Sequence, residues 1–153
     1  MNCEVTNMKS VIAAAIRAPG MSMDNMVEAM NAGYTKLMAY IAEQGKEIAG
    51  PPYCCYMNAS EDFSHFDMEF GIPVNQEVAE KDDIIMSRTY EGKAAVATHK
   101  GAYKDIETTY TELMDYVKEN SLELTGVYYD YYISNPEDTP ENELITQIVF
   151  AIK

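Results

Sequence analysis

His65, Asp67 and Glu69 alternate along a stretch whose intervening residues are Phe66, Met68 and Phe70. In an extended chain that spacing sends the three polar groups to one face and the apolar ones to the other. Imidazole and carboxylates are metal-ligand types. Same-face neighbours on a strand are roughly 7 Å apart, however, too wide for all three to reach one ion. A solvated polar face is the stronger reading of His65 and Asp67, and no metal or other cofactor is expected. His99, in Thr98-His99-Lys100-Gly101, reads as a turn-stabilising group. No Ser, Asp or Cys stands at a spacing that would make it the base of a nucleophile. Cys3, Cys54 and Cys55 contain no CxxC pair, and two of them are adjacent. They read as free thiols in a reducing compartment.

Tyrosine is the more suggestive residue type, with twelve copies and no tryptophan. A tyrosine ring can stack on a flat or cationic ligand while its hydroxyl fixes orientation. Tyr34, Tyr56, Tyr110, Tyr129, Tyr131 and Tyr132 are the candidates. Aromatic residues at helix or strand periods usually belong to a core, which is the reading for any single one, while at least two of the set are expected to line a pocket. The eleven methionines, among them Met26, Met30, Met38, Met68 and Met114, fill gaps and can give such a pocket a pliable wall.

These residues sit in two similar segments. Tyr34-Thr35-Lys36-Leu37-Met38-Ala39-Tyr40 returns as Tyr110-Thr111-Glu112-Leu113-Met114-Asp115-Tyr116. The register then holds through Gly50 and Gly126, Tyr53 and Tyr129, and Tyr56 and Tyr132. Each copy reads as strand, helix, strand, strand. In the first, a strand over Lys9–Ala18 ends at Pro19-Gly20. A helix then runs from Ser22 or Asp24 to about Gln44, with Met26, Val27, Met30, Tyr34, Leu37, Met38 and Ile41 inward and Gly45 as its stop. Strands follow over Tyr53–Asn58 and His65–Ile72. The acidic stretch from Asn75 to Asp83 is a linker within one domain. In the second copy, Met86–Lys100 is a strand or a bent pair interrupted at Glu91-Gly92. A helix follows from Asp105 or Thr109 to Asn120, where Thr109 and Glu112 have capping-box spacing. Its inward positions are Ile106, Tyr110, Leu113, Met114 and Val117. The closing strands cover Tyr128–Ile133 and Leu144–Ile152, with Pro136 and Pro140 punctuating the loop between them. This is an α+β pattern in a single domain over 1–153, with repeats at about 9–74 and 86–153 and a seam between them where a ligand could sit.

The chain has 153 residues and a formal net charge of −14. That field repels polyanions and no basic cluster offsets it, so direct nucleic-acid binding is not expected. No apolar run approaches the roughly 20 residues that span a bilayer. The run from Val11 to Ile16 is too short for a secretory signal. A cytoplasmic location with no membrane association is the expectation.

Four motifs carry a family likeness: Gly50-Pro51-Pro52-Tyr53-x-x-Tyr56; Asp67-x-Glu69-x-Gly71-Ile72-Pro73-Val74; Thr98-His99-Lys100-Gly101-Ala102-Tyr103; and Gly126-x-Tyr128-Tyr129-Asp130-Tyr131-Tyr132-Ile133-Ser134-Asn135-Pro136. In this order around both repeats they resemble the GyrI-like small-molecule-binding domain, the effector-binding domain of AraC-type and MerR-type regulators. The resemblance implies tandem β-α-β-β modules related by a pseudo-two-fold, an antiparallel sheet with two main helices, and a central ligand cleft. It implies a free-standing form without a DNA-binding domain that binds apolar, often cationic, drug-like molecules. The family also holds hydrolases of cyclopropane-containing genotoxins and gyrase-inhibitor-like proteins that act on a protein partner, and these are the alternatives. The likeness places Glu69 beside the cleft, as a counter-ion or, in a hydrolase, as the group activating water. Gln147 stands where the family commonly has glutamate, so the second copy offers an amide there. The implied ligand-binding set is Glu69, Tyr110, Tyr131, Tyr132, Tyr34, Tyr56, Met68 and Gln147.

Overall fold

The computed structural model describes residues 3–62, 64–135 and 138–153, so Pro136 lies outside the described residues. One antiparallel sheet of eight strands carries two helices. The strands are β1 (Glu4–Met8), β2 (Ile12–Met21), β3 (Tyr53–Met57), β4 (Phe66–Pro73), β5 (Ile84–Arg88), β6 (Gly92–Lys100), β7 (Leu124–Tyr132) and β8 (Ile145–Ile152). Their order across the sheet is β1-β6-β8-β7-β3-β4-β2-β5. Helix α1 (Met26–Glu43) joins β2 to β3, and α2 (Ile106–Glu119) joins β6 to β7. The runs β2-α1-β3-β4 and β6-α2-β7-β8 therefore meet edge to edge where β3 pairs with β7, with Cys54 opposite Asp130.

The sheet has a helix-covered face and an opposite face. The first is closed by α1 over Ile16, Phe70 and Ile72 and by α2 over Ala97, Ile148 and Phe150. Gly33 lets α1 settle close on β4, because a Cβ there would fall 2.1 Å from the Phe70 ring. The opposite face is filled by Tyr53, Tyr129 and Tyr131 with Ala13, Cys55, Ala94, Val96 and Val149. Ala13, Ala14 and Ala15 are all fully buried in β2, where small side chains let both faces be covered closely.

Several local expectations change. Pro19-Gly20 does not end β2: the strand runs on to Met21 through a register shift after Ala18, with Gly20 at φ 66° providing the bend. β1 is not among the elements that the sequence pattern predicts. Among the described residues that strand pairs only with β6, and a single-sided edge of five residues carries little periodic signal. The region around Glu91-Gly92 separates two strands, of which β5 pairs with β2 and β6 with β8. Gly45 does stop α1: its N–H donates to Ala42 O and that of Lys46 to Ile41 O, a Schellman closure. The buried stripe of α1 is Gly33, Leu37, Tyr40 and Ile41. Val27 and Met38, expected inward, are 61% and 53% exposed, because the stripe turns toward β2 and β4. Thr109 is not a cap. It lies inside α2, a 3-10 turn over Tyr103–Asp105 having begun the element earlier, and its hydroxyl is 2.8 Å from His99 Nδ1.

Candidate functional site

Strand alternation divides the tyrosine-rich segments between the two faces. Tyr34, Tyr56, Tyr110, Tyr132 and Met68 belong to the helix-covered side. Glu69, opposite Cys55 and Arg17 in register, belongs to the other side, with Tyr131. Gln147 pairs with Tyr131 and shares that side, half-buried. The residues expected in one cleft thus form two clusters separated by the sheet.

On the helix-covered side the cluster surrounds Asp130, a residue to which the sequence reading gave no role. Its register partners are Cys54 and Ile148, so its carboxylate rises between the two helices at the β3–β7 seam. Asp130 is 4% exposed. Tyr56, from β3, donates to Oδ2 at 3.1 Å, and Tyr110, from α2, donates to Oδ1. Tyr34, from α1, stands edge-on to Tyr132 at 6.4 Å between centroids, and Tyr103 also meets Tyr132 edge-on at 5.8 Å. Tyr110 is in turn stacked on Phe150.

Burial pushes the Asp130 carboxyl up to about 6, although the hydroxyls of Tyr110 and Tyr56 pull the other way. Burial, and then the neighbouring carboxylate, push the phenols of Tyr56, Tyr110 and Tyr132 well above the usual value. They remain neutral hydrogen-bond donors. Among the described residues no cationic side chain forms an ion pair with Asp130. A buried carboxylate with no cationic partner among the described residues, ringed by half-buried phenols, has the chemistry to accept a positive charge carried on an apolar body. Tyr103 also lines a hollow of about 350 Å³ together with Lys104, Thr139, Glu141 and Leu144.

Glu69 is differently placed. Tyr53 donates to its Oε2 at 2.8 Å, Ser87 to the same oxygen at 2.9 Å, and Arg17 Nε to Oε1 at 3.1 Å. Tyr53 reaches it by lying flat over Gly71, where a Cβ would fall 2.6 Å from the phenol. The network continues into Tyr129 and Tyr131, stacked 5.5 Å apart. Burial pushes the Cys55 thiol beside them up to about 12, which leaves it unreactive at neutral pH. Asp67 accepts from Gly20 N–H and Asn58 at the strand end, and His65 is exposed. His99 has both nitrogens engaged, Nε2 donating to Ala102 O at 2.8 Å and Nδ1 facing Thr109. It holds the turn before α2, as its motif suggested.

The missed residue left one trace in the sequence. Asp130 is the lone charge in the aromatic strand β7, and its register partner on β3 is Cys54, a group suited to burial.

The GyrI-like small-molecule-binding domain family matches the chain over residues 1–153. None of the curated protein sequences matches it. Among solved structures, the EcmrR C-terminal domain is similar over 99% of this chain and 96% of its own, at 22% identity and a TM-score of 0.77. EcmrR in a complex with DNA matches with a TM-score of 0.82, also at 22% identity and over 99% of this chain, and here the chain spans only 57% of that protein. SAV2435 bound to tetraphenylphosphonium is similar over 100% of this chain and 94% of its own, at 18% identity and a TM-score of 0.63. At these identities the likenesses establish the fold. Among the described residues no helix is long and apolar enough to cross a membrane.

Proposed function

The chain belongs to the GyrI-like small-molecule-binding family, and from that premise we propose that it captures an apolar cation between α1 and α2. Asp130 serves as counter-ion and Tyr34, Tyr56, Tyr110 and Tyr132 form the aromatic wall. The observation that carries this reading is the Asp130 carboxylate, 4% exposed and, among the described residues, bonded only to phenols. A ligand supplies the missing positive charge, and burial of its apolar surface adds the remainder of the affinity. The phosphonium ion bound by SAV2435 has this chemistry.

Glu69 has a different part in this reading. Its oxygens already accept from Arg17, Tyr53 and Ser87, so it is neither a vacant counter-ion nor a base free to take a proton from water. Binding is accordingly preferred to hydrolysis. The free thiols at Cys54 and Cys55 suit a cytoplasmic setting. Titration with tetraphenylphosphonium and with neutral triphenylphosphine oxide tests the proposal. Asp130→Asn should weaken the cation on the order of thirtyfold and the neutral compound by less than about twofold. Equal weakening of both would remove the charge pairing.

A further inference from the structure

Thr146, on β8, is fully buried, and its Oγ1 has no hydrogen-bond partner among the described residues. It stands in register with His99 on β6 and Tyr132 on β7. It lies two positions before Ile148, the register partner of Asp130, and so shares the face that α2 covers. Asp130 and Thr146 are diagonal neighbours on adjacent strands, with Cα atoms about 7 Å apart. His99 cannot serve the threonine, because its two nitrogens face Thr109 and Ala102. Leaving a buried hydroxyl unpaired is unfavourable, and nearly all such groups in folded proteins find a partner. Here the orphan is on the floor of the proposed cation site. Tyr103 lines the hollow beside Leu144, and its ring stands edge-on against Tyr132.

We propose that Thr146 is a specificity-determining residue of this site, and that the ligands it favours carry a hydrogen-bonding group within a few bonds of their positive centre. The cation rests against Asp130 and the tyrosine rings while its hydroxyl, carbonyl or ether oxygen meets Thr146 Oγ1. Entry is from the hollow beside Leu144, with Tyr103 turning away from Tyr132. This rests on the cation reading above and deepens it from any apolar cation to a polar-substituted one.

Ethyltriphenylphosphonium and (2-hydroxyethyl)triphenylphosphonium differ by a single hydroxyl and can be titrated calorimetrically into the wild-type protein and into Thr146→Val, a variant of nearly the same shape. The ratio of the two affinities should favour the hydroxyl compound about three- to tenfold more in the wild type than in Thr146→Val. The ethyl compound should bind both proteins alike, and the thermal midpoint of the unliganded variant should be unchanged or higher. An identical ratio in the two proteins overturns the assignment. So does a lowered midpoint in Thr146→Val that Thr146→Ser restores, since the hydroxyl then has an internal partner. If the wild type takes up neither phosphonium ion, the cation reading itself fails and this inference falls with it. Binding of both with an unshifted ratio removes Thr146 alone.

Discussion

Two buried carboxylates lie on opposite faces of one sheet, each 4% exposed, and they differ in what surrounds them. Glu69 accepts from a guanidinium, a phenol and a serine hydroxyl, so its charge is compensated within the fold. Among the described residues, Asp130 accepts from two phenols only. A carboxylate with a full complement of donors including a cation holds a structure together. One that keeps hydroxyl donors and lacks a cation leaves a charge for something else to meet. Equal burial therefore says little about function, and the partner set decides it.

The contrast breaks most visibly through Glu69→Ala. That change leaves the buried Tyr53 hydroxyl and Ser87 without their acceptor. Arg17, whose side chain is 66% exposed, regains water and adds little. A loss of about 3 kcal/mol in urea-unfolding free energy is expected, with the remaining folded protein still binding phosphonium ions. A stable variant that had lost the cation would exchange the roles of the two acids.

Asp130→Asn should act in the opposite direction. With its carboxyl at about 6 when folded, against roughly 4 in an unfolded chain, Asp130 holds a proton between about pH 4 and 6 that the unfolded chain has released. Its contribution to stability therefore falls as pH rises through that window, and at pH 7 the charged form is a burden. Replacing it by asparagine should raise the unfolding free energy by about 1–3 kcal/mol at pH 7 and by little at pH 4. A denaturant series at the two pH values reads this directly. Destabilisation at pH 7 would mean that the charge has a partner in the unliganded protein.

The same titration sharpens the functional side of the contrast. Cation affinity should be steady above about pH 7 and fall below pH 6, approaching tenfold per pH unit as Asp130 takes up its proton. In Asp130→Asn the profile should be flat across that range. A wild-type affinity independent of pH between 5 and 8 would place the cation elsewhere.

The architecture was largely legible because it is written in periodicity. The helices, the Gly45 stop of α1 and the split of Met86–Lys100 into two strands near Glu91-Gly92 all left local signals. The division of the site was harder to read, although alternation puts Tyr56 and Glu69 on strands whose relative faces only the β3–β4 register fixes. Cys55 stands opposite Glu69 in that register, which sends Glu69 away from Tyr56. Asp130 passed unread because a carboxylate among tyrosines looks like a solvated position until β3 and β8 flank it on both sides. The capping-box spacing at Thr109 misled for a related reason: His99, ten residues earlier, claims the hydroxyl, and no local rule anticipates a long-range acceptor.

The smallest effect comes from Ser87→Ala. Ser87 is the third donor to Glu69, shares Oε2 with Tyr53, and lies half-buried on β5, the edge strand paired to β2. Its removal leaves Glu69 with Tyr53 and Arg17, so the carboxylate is never without donors, and a loss of about 1 kcal/mol is expected with cation affinity unchanged. The value of so mild a variant is that the protein stays folded while one face of the sheet is weakened. A cation affinity that moved with Ser87→Ala, measured by the same phosphonium titration, would mean that the two faces communicate through the sheet. The proposed separation of a structural acid from a binding acid would then give way to a single coupled site.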